Sequence, residues 1–252
     1  MTNAPAADFA LPPLPASPRR VLLFVAMEHE AAPIVAALGL SRRERGFTGR
    51  VAGADVTLIT PGIDPATEID RIGPVHASAA LTRALLHAPE PYDLVMNAGT
   101  AGGFEAKGQR IADLVVARET MFHDARIALD GFDRVARAHT RLSADDMALA
   151  LLAAALDARA GLVSTGSSLD ATADELALFA RSDALAKEME LAALAVVCRM
   201  HDMPLIAVKG ITDLVDHHEP THEAFLRNLD RTAARIAAAS GPFLETVLQT
   251  RR

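Results

Sequence analysis

Short apolar runs alternate along the chain with longer amphipathic stretches, almost to its end. Several runs have hydrophobic residues at consecutive rather than alternate positions, which is typical of strands covered on both faces. We predict strands for six of them: "RVLLFVAM" (20–27), "VTLIT" (56–60), "DLVMNAG" (93–99), "DLVVARET" (113–120), "GLVSTG" (161–166) and "PLIAVKGITD" (204–213).

The stretches between these runs have the composition and spacing of amphipathic helices. "HEAAPIVAALGL" ends at Gly39, and "PVHASAALTRALLHA" begins with Pro74, which suits the first turn of a helix. Capping boxes precede two more helices, Ser-x-x-Asp at 143–146 and Thr-x-x-Glu at 172–175. "EMELAALAVVCRMHD" and "THEAFLRNLDRTAARIAAA" complete the set.

This alternation predicts an α/β fold of three layers with a largely parallel central sheet. No internal repeat or low-complexity linker interrupts residues 20–252, which we interpret as a single domain. Residues 1–19 are rich in Ala and Pro and are expected to form a mobile or extended leader. Ligands of open α/β sheets bind beyond the carboxyl ends of the strands, so the residues that follow each strand are the candidates for chemistry.

Composition narrows the possible functions. The 252 residues are half apolar, and the net charge is −7 with scattered basic residues, which argues against a nucleic-acid partner. The single cysteine, Cys198, lies in an apolar pattern, which indicates a small buried side chain and a reducing compartment. No run approaches the ~20 apolar residues of a membrane span, and the leader has its arginines last, unlike a secretory signal. We therefore expect a cytoplasmic protein with no membrane partner.

Polar residues follow the predicted strands at four places. "MEHE" (27–30) follows the first strand and "NAGTAGGF" (97–104) extends the third. "KEME" (187–190) precedes a late helix, and Thr212 and Asp213 end the sixth strand. These groups are far apart in sequence, but we expect them to meet at one end of one sheet.

Each group also has an interpretation without function. Glu28 and Glu30 could be acids that the helix dipole favours in a first turn. "GTAGG" could be a turn that needs positive φ, and it lacks the lysine of a P-loop. On a helix, Glu188 and Glu190 would point about 200° apart, so that one of them would face solvent. Taken singly, none of these groups supports a function.

The segment "DHHEPTHE" (216–223) combines three histidines with three acids. Pro220 breaks any helix between His218 and His222, which removes the spacing of a helical zinc site. We expect a solvated loop here, and the chain as a whole is expected to hold neither a metal nor a cofactor.

Five blocks occur in the order and spacing of the nucleoside phosphorylase/hydrolase superfamily: "AMEHEA", "NAGTAGGF", "STGSSLD", "KEMELAA" and "VKGITDLVD". Within it, residues 20–235 resemble the 5′-methylthioadenosine nucleosidases. "MFHDARI" and "ITDLVDHHEPTHEAFLRNL" are similar to the plant-type branch. The resemblance implies a twisted mixed sheet with helices on both sides. It also implies a homodimer in which the partner closes the 5′ end of the nucleoside pocket.

The resemblance implies a role for each matching residue. Asp213 resembles the acid that delivers a proton toward adenine N7, and Glu30 the base that activates the attacking water. Glu190 resembles the acceptor of the ribose hydroxyls, and Met189 the apolar contact beneath the sugar. The other substrate-binding positions implied are Thr100 and Lys209 near the water, Leu169 and Asp170 beside adenine, Met27 and Phe122 at the alkylthio end, and Ala101, Gly102, Glu188 and Thr212.

Three positions depart from the pattern of the family. Ser167 stands where relatives usually have Asp, and Ile63 stands where the plant form has Arg. Leu191 replaces a small residue directly after Glu190, where it would either narrow the pocket or pack into the core.

The expected reaction is hydrolysis of the N-glycosidic bond of 5′-methylthioadenosine. The alternatives are hydrolysis of S-adenosylhomocysteine, 5′-deoxyadenosine or another purine nucleoside, and phosphorolysis by a purine nucleoside phosphorylase. Phosphorolysis needs cationic donors for phosphate, whereas the first strand and the Gly-rich segment here present Glu30 and the neutral "GTAGG". A nucleoside-binding protein without catalysis is disfavoured, because both the candidate acid and the candidate base are present.

Overall fold

The computed structural model describes residues 9–249 of the chain. Within them eleven strands form one sheet, and all six strands predicted from the hydrophobic pattern are present. The strands are β1 (Phe9–Ala10), β2 (Arg20–Phe24), β3 (Ser41–Arg43), β4 (Gly46–Val51), β5 (Ala54–Ile59), β6 (Leu94–Gly103), β7 (Leu114–Phe122), β8 (Thr140–Arg141), β9 (Ala158–Thr165), β10 (Ala184–Glu188) and β11 (Leu205–Leu214).

The described residues also form α-helices and a short 3₁₀ turn at Glu105–Lys107. The helices are α1 (Glu28–Ala37), α2 (Pro74–Leu86), α3 (Phe132–Ala136), α4 (Asp146–Leu156), α5 (Ala173–Arg181), α6 (Leu191–Met200) and α7 (Thr221–Gln249). All but α3 were predicted, and α7 extends ten residues beyond its predicted end at residue 239. No helix among residues 9–249 combines the length and the apolar character that crossing a membrane requires.

One of the two predicted capping boxes is confirmed. The Thr172 hydroxyl accepts the Glu175 N–H at 3.3 Å, and the Glu175 carboxylate accepts the Thr172 N–H at 2.8 Å. At α4 the prediction is wrong, because Asp145 is the N-cap and its carboxylate accepts the N–H three residues later. Ser143 lies before the helix, where its hydroxyl accepts the N–H of Leu205 and secures the start of β11.

The sheet has the order β1-β8-β7-β9-β10-β6-β2-β5-β4-β3, and β11 pairs with both β6 and β7. Among the described strands, six pairings are parallel and five antiparallel. The parallel run β5–β2–β6–β11 forms the centre. The α/β fold with a mixed sheet is therefore confirmed, and the carboxyl ends of the central strands lie at one edge.

Consecutive side chains of β2 show why the fold has three layers. Val21 and Leu23 pack in an apolar cluster with α1, α4 and α7 on one face of the sheet. Leu22 and Phe24 pack in a second cluster with α2 and α6 on the other face. This arrangement confirms that the strand is covered on both sides.

Part of the leader packs along the edge of the sheet. β1 pairs in parallel with β8, and the Leu11 N–H donates to the Arg141 carbonyl at 3.0 Å. The side chains of Leu11 and Leu14 are buried. Residues 9–14 are thus an extended segment bonded to the sheet, and residues 1–8 lie outside the described part of the chain.

Candidate active site

A cavity lies where the carboxyl ends of β2, β6, β10 and β11 come together. Twelve of the positions named from the sequence line it: Met27, Glu30, Thr100, Ala101, Gly102, Leu169, Glu188, Met189, Glu190, Lys209, Thr212 and Asp213. Residues from distant parts of the chain thus share one site, in the place where α/β sheets bind ligands.

Two of the named positions do not line this cavity. Phe122 is half-buried at the end of β7, beside β9, and the exposed Asp170 borders a neighbouring depression. Sequence reasoning missed six lining residues: Ala26, Ile72, Gly99, Ser168, Lys187 and Phe225. Ile72 belongs to none of the blocks quoted above, whereas Phe225 stands in "ITDLVDHHEPTHEAFLRNL" and Lys187 in "KEME", so both could have been considered with those blocks.

Glu30 is held in the first turn of α1 by bonds to β6. Its Oε1 accepts the Thr100 backbone N–H at 2.7 Å and the Thr100 hydroxyl at 2.6 Å. Its side chain is buried in the cavity wall, with the residue 2% exposed. Burial raises the pKa of Glu30, and the bonds from Thr100 and the charge of Lys209 oppose this rise. Glu30 is therefore both a first-turn acid and part of the site.

The glycines of β6 provide space for the carboxylates. Gly99 and Gly102 lie within the strand and neither has positive φ, so the alternative of a glycine turn is wrong. A Cβ at Gly102 would lie 2.7 Å from Asp213 Oδ2, and one at Gly99 would lie 3.4 Å from Glu30 Oε2. The bare backbone of β6 is thus the surface against which both acids pack.

A β-bulge determines where Asp213 points. β11 and β6 pair residue by residue until Thr212, which is the extra residue, and Asp213 then lies opposite Gly102. The Thr212 hydroxyl donates to Asp213 Oδ1 at 2.8 Å. Burial raises the pKa of Asp213 to about 6, although the bond from Thr212 and the charge of Lys187 lower it. Both protonation states of this carboxyl are accessible near neutral pH.

The block "EME" is not helical, because the chain passes from strand to helix within it. Glu188 ends β10 and Glu190 is the N-cap of α6, and both are buried, so the expectation that one would face solvent is wrong. Glu188 Oε2 pairs with Lys209 Nζ at 2.8 Å, and Oε1 accepts the Thr165 hydroxyl at 2.5 Å. The Glu188 carboxylate also accepts the backbone N–H groups of Glu190 and Leu191, which caps α6.

Glu190 is anchored through its Oε1 atom. Its Oε1 accepts the Gly73 N–H at 2.8 Å, and Gly73 has φ of 93°, a conformation that favours glycine. Burial and the charge of Glu188 raise the pKa of Glu190 to about 7, against the effects of Lys209 and Gly73. No hydrogen bond from residues 9–249 occupies Oε2, which leaves that oxygen for a ligand.

Lys209 is the buried counter-ion for three acids. Burial by itself lowers the pKa of Lys209, but the charges of Glu188, Glu190 and Glu30 outweigh this effect and raise it. Its ion pair is with Glu188, whereas Glu30 acts on it through its charge. Lys209 therefore supports the acids of the site mainly through the Glu188 end of the network.

The His-rich segment 216–223 has structural contacts. Asp216 accepts the Glu105 N–H at 2.7 Å and caps the 3₁₀ turn, and Glu219 forms an ion pair with Arg227. Among residues 9–249, no group of three or more His, Cys, Asp or Glu side chains is arranged to hold a metal ion.

Residues 15–245 match the family model of the phosphorylase superfamily. The chain belongs to this superfamily. Two relatives come from Arabidopsis thaliana. The 5′-methylthioadenosine nucleosidase is 34% identical over 226 residues, covering 86% of this chain and 82% of the relative. The 5′-methylthioadenosine/S-adenosylhomocysteine nucleosidase is 34% identical over 228 residues, covering 86% and 87%.

The fold agrees with that of a solved member of the superfamily. The structure of the Arabidopsis thaliana 5′-methylthioadenosine nucleosidase in apo form superposes with a TM-score of 0.83 at 33% identity. The superposition covers 92% of this chain and 96% of that chain. It therefore includes most of both chains.

The departures from the superfamily pattern lie in different surroundings. Leu191 is fully buried in the apolar cluster that contains α6 and does not line the cavity, so it packs into the core. Ser167 is exposed, and its N–H donates to Asp124 at 2.8 Å. Ile63 is an exposed surface residue. None of the three narrows the cavity.

Proposed function

We propose that this superfamily member hydrolyses 5′-methylthioadenosine to adenine and 5-methylthioribose. Similarity to the two Arabidopsis nucleosidases supports the substrate class. The observation that carries the proposal is the presence of two buried carboxylates, Glu30 and Asp213, in one cavity but with different partners. Titratable groups in unlike surroundings suit the two proton transfers of a hydrolysis.

Asp213 acts as the general acid in this mechanism. As the bond from ribose C1′ to adenine N9 breaks, its electron pair moves onto the base and the sugar gains oxocarbenium character. A proton delivered by Asp213 to N7 lets adenine leave as a neutral molecule. Such a positioned acid typically contributes about 10²–10⁴-fold to the rate. A pKa of about 6 leaves part of the Asp213 population protonated near neutral pH.

Glu30 acts as the general base. The oxygen of a water molecule forms the new bond to C1′, and Glu30 takes up the proton that this water loses. Thr100 fixes the carboxylate through two hydrogen bonds. The raised pKa of Glu30 makes it a stronger base than an exposed carboxylate would be.

The remaining lining residues form the sugar and 5′ subsites. The free oxygen of Glu190 accepts hydrogen bonds from the ribose 2′- and 3′-hydroxyls, and Met189 contacts the sugar. The apolar side chains of Met27, Ile72 and Phe225 line the same cavity and suit a methylthio group.

The two lysines that line the cavity are engaged by other groups of the protein, which favours hydrolysis over phosphorolysis. Lys209 is paired with Glu188, and Lys187 donates to two backbone carbonyls. None of the described residues that line the cavity is an arginine. A phosphate nucleophile would therefore meet the carboxylate of Glu30 and find no uncommitted cation, whereas a water molecule is suited to these surroundings.

The test measures adenine release from 5′-methylthioadenosine in phosphate-free buffer. We expect turnover of the wild-type protein without phosphate, and a loss of about 10²–10⁴-fold in kcat for Asp213→Asn with adenine binding largely kept. Asp216→Asn is the matched control, since Asp216 follows the same strand but caps the 3₁₀ turn. A requirement for phosphate would establish a phosphorylase, and unchanged turnover of Asp213→Asn would remove Asp213 from the mechanism.

The alternative substrates differ mainly at the 5′ position of the nucleoside. The apolar walls at Ile72 and Phe225 favour a short alkylthio group over the charged tail of S-adenosylhomocysteine. Comparing kcat/KM for 5′-methylthioadenosine, S-adenosylhomocysteine, 5′-deoxyadenosine and inosine decides between them. A higher value for S-adenosylhomocysteine would reverse the assignment of the 5′ substituent.

We further propose that two copies of the chain form a homodimer. Exposed apolar side chains cluster in sequence near the cavity wall, which a partner chain would cover. They are Ile63, Ile69, Ile72 and Val75.

Residues 20–252 would act as one catalytic domain located in the cytoplasm. The strands of one sheet come from most of this range, which supports a single domain. The buried Cys198, which is the single cysteine of the chain, suits a reducing compartment.

A further inference from the structure

Lys187 lies in the wall of the cavity and has no part in the reaction described above. It is the fourth residue of β10 and is buried. The strand register places Lys187 opposite Gly102 from β10, and Asp213 opposite the same glycine from β11. Lys187 and the candidate acid therefore flank a residue that has no side chain, and each charge acts on the other.

The ammonium of Lys187 also holds the loop that follows β9. Its Nζ donates to the backbone carbonyls of Ser168 and Leu169, the latter at 3.1 Å. Both loop residues are exposed and line the cavity. A lysine ammonium has three donors, and these two bonds direct it between the loop and the sheet. One buried cation thus connects an exposed loop to the strand ends that carry the site.

Charged groups from several elements surround Lys187. Burial lowers its pKa, and nearby acids oppose this effect without cancelling it. These acids are Glu175 on α5, Asp213 on β11, Asp170 in the loop and Glu188 on β10, and His123 after β7 is the neighbouring base. Among them, only Asp213 is a candidate proton donor that lines the cavity.

We propose that Lys187 is a positioning residue for the leaving nucleobase: its ammonium fixes the loop at Ser168 and Leu169 and presents a positive charge to Asp213. This role rests on the proposed nucleosidase activity. When Asp213 gives its proton to N7 of the base, the carboxyl becomes a carboxylate. The ammonium stabilises that negative charge as it develops, and the same ammonium keeps the loop beside the base.

Three substitutions separate the two parts of this role. Lys187→Met removes the charge and the donors, Lys187→Gln keeps donors without charge, and Lys187→Arg keeps both. Lys107→Met is a matched control, because Lys107 Nζ also donates to backbone carbonyls, at Phe179, Ser182 and Ala184, outside the cavity lining. The readouts are hydrogen–deuterium exchange of residues 166–170, adenine affinity, and the pH profile of kcat/KM.

We expect Lys187→Met to speed exchange in residues 166–170 and to lower kcat/KM by about 10–100-fold. In Lys187→Met and Lys187→Gln the basic limb of the profile should move up by about one pH unit, because Asp213 loses a nearby positive charge and keeps its proton to higher pH. Lys187→Arg should restore the wild-type limb. Lys107→Met should leave all three readouts at the cavity as in the wild type.

The charge role is overturned if the basic limb is the same in wild type, Lys187→Gln and Lys187→Met. The loop role is overturned if exchange and adenine affinity in Lys187→Met match those of Lys107→Met. If Lys187→Met does not fold, Lys187→Gln still tests the effect of the charge on the pH profile. Lys187→Arg then tests whether restoring the charge restores the wild-type profile. If the wild-type protein binds adenine but releases none from nucleosides, the proposed function and the charge role are both refuted. Hydrogen–deuterium exchange of residues 166–170 would still test whether Lys187 holds the loop.

Discussion

Glu30, Glu190 and Asp213 are carboxylates in one cavity, yet each has a different neighbour. Thr100 holds Glu30 through a backbone and a hydroxyl donor, whereas Gly73 holds one oxygen of Glu190. Among residues 9–249, the Asp213 carboxylate accepts a hydrogen bond only from the Thr212 hydroxyl. Burial raises the pKa of all three acids, and these local donors limit the rise. The immediate contacts of each residue therefore limit how far its pKa rises.

Asp213→Asn should stabilise the protein relative to wild type, and this gain should be larger at pH 8 than at pH 5. The folded-state pKa of about 6 lies above the ordinary 3.8. Folding thus favours the protonated form, whose stabilising effect is complete below pH 3.8 and is lost as pH rises through 6. The gain at pH 8 has an upper limit of about 3 kcal/mol and falls to roughly half at pH 5.

Urea unfolding of Asp213→Asn and wild type at pH 5 and pH 8 checks this expectation. Asp130→Asn is the control, since Asp130 is exposed. A stability difference that does not change with pH would contradict the raised pKa of Asp213.

At the scale of elements, the sequence predicted three of the four strands whose ends carry the site, and it missed β10 and the strands at the edges of the sheet. β2, β6 and β11 have long apolar runs that identify them. β10 was missed because Ala184–Glu188 leads into α6 with no turn residue between them, so "EMELAAL" resembles a helix from its first residue. β3 is a short polar edge strand, and its pairing depends on β4 rather than on its own composition.

Dependence on contacts with other segments also explains the part of the site that the sequence did not predict. Asp213 and Glu30 stand in recognisable blocks, so they could be named before the fold was known. The anchoring of Glu190 by Gly73 and the position of Lys187 depend on strand register and on loop contacts. Such contacts between distant segments leave no spacing pattern in one sequence.

β6 should tolerate alanine at Gly99 but not at Gly102. At Gly102 a Cβ would lie 2.5 Å from the Val215 side chain and 2.7 Å from the Asp213 carboxylate, so Gly102→Ala must displace these side chains. Overpacking of this kind costs about 1–3 kcal/mol. At Gly99 the nearest atom would be 3.4 Å away, an ordinary contact.

The two alanine variants can be compared by chemical denaturation, with Gly99→Ala as the control on the same strand. We expect Gly99→Ala to lie within about 0.5 kcal/mol of wild type. Equal losses of stability in the two variants would show that general strand effects, rather than the close approach of β11, determine the cost.

The extended segment at residues 9–14 should contribute to stability through its apolar side chains. Leu14 is buried in the cluster shared by α1, α4 and α7. Leu14→Ala should therefore cost about 2–3 kcal/mol, as for other buried leucines. Leu226→Ala, at a side chain that is 69% exposed on α7, should cost much less. A thermal or urea unfolding series measures both, and similar losses would show that the segment contributes no buried contact of its own.

At the scale of the whole molecule, the exposed apolar side chains are not spread evenly. Ile63, Ile69, Ile72 and Val75 follow one another in the chain just before and at the start of α2, and Ile72 also lines the cavity. Exposed apolar side chains that are grouped together mark interaction sites on proteins with a charged exterior. A net charge of −7 gives two copies no general attraction, so the apolar contacts would have to supply the energy of association.

Val75→Lys should therefore convert the proposed homodimer into a monomer and reduce nucleoside hydrolysis. Val75 is 77% exposed in the single chain, so the substitution leaves the core intact. Placing a charge in an apolar interface leaves it unpaired and desolvated, which opposes association. Met147→Lys is the matched control, because Met147 is 73% exposed on α4, on the opposite face of the sheet from α2.

Light scattering after size exclusion should give twice the chain mass for wild type and Met147→Lys, and the chain mass for Val75→Lys. We expect kcat/KM for 5′-methylthioadenosine to fall by about tenfold in Val75→Lys, since an open 5′ end loses apolar contact with the methylthio group. The stability of the monomer should stay close to that of Met147→Lys at equal subunit concentration. A monomeric wild-type protein, or a Val75→Lys dimer with full activity, would contradict the proposed interface. Ile72 and Phe225 would then form the 5′ wall without a partner chain.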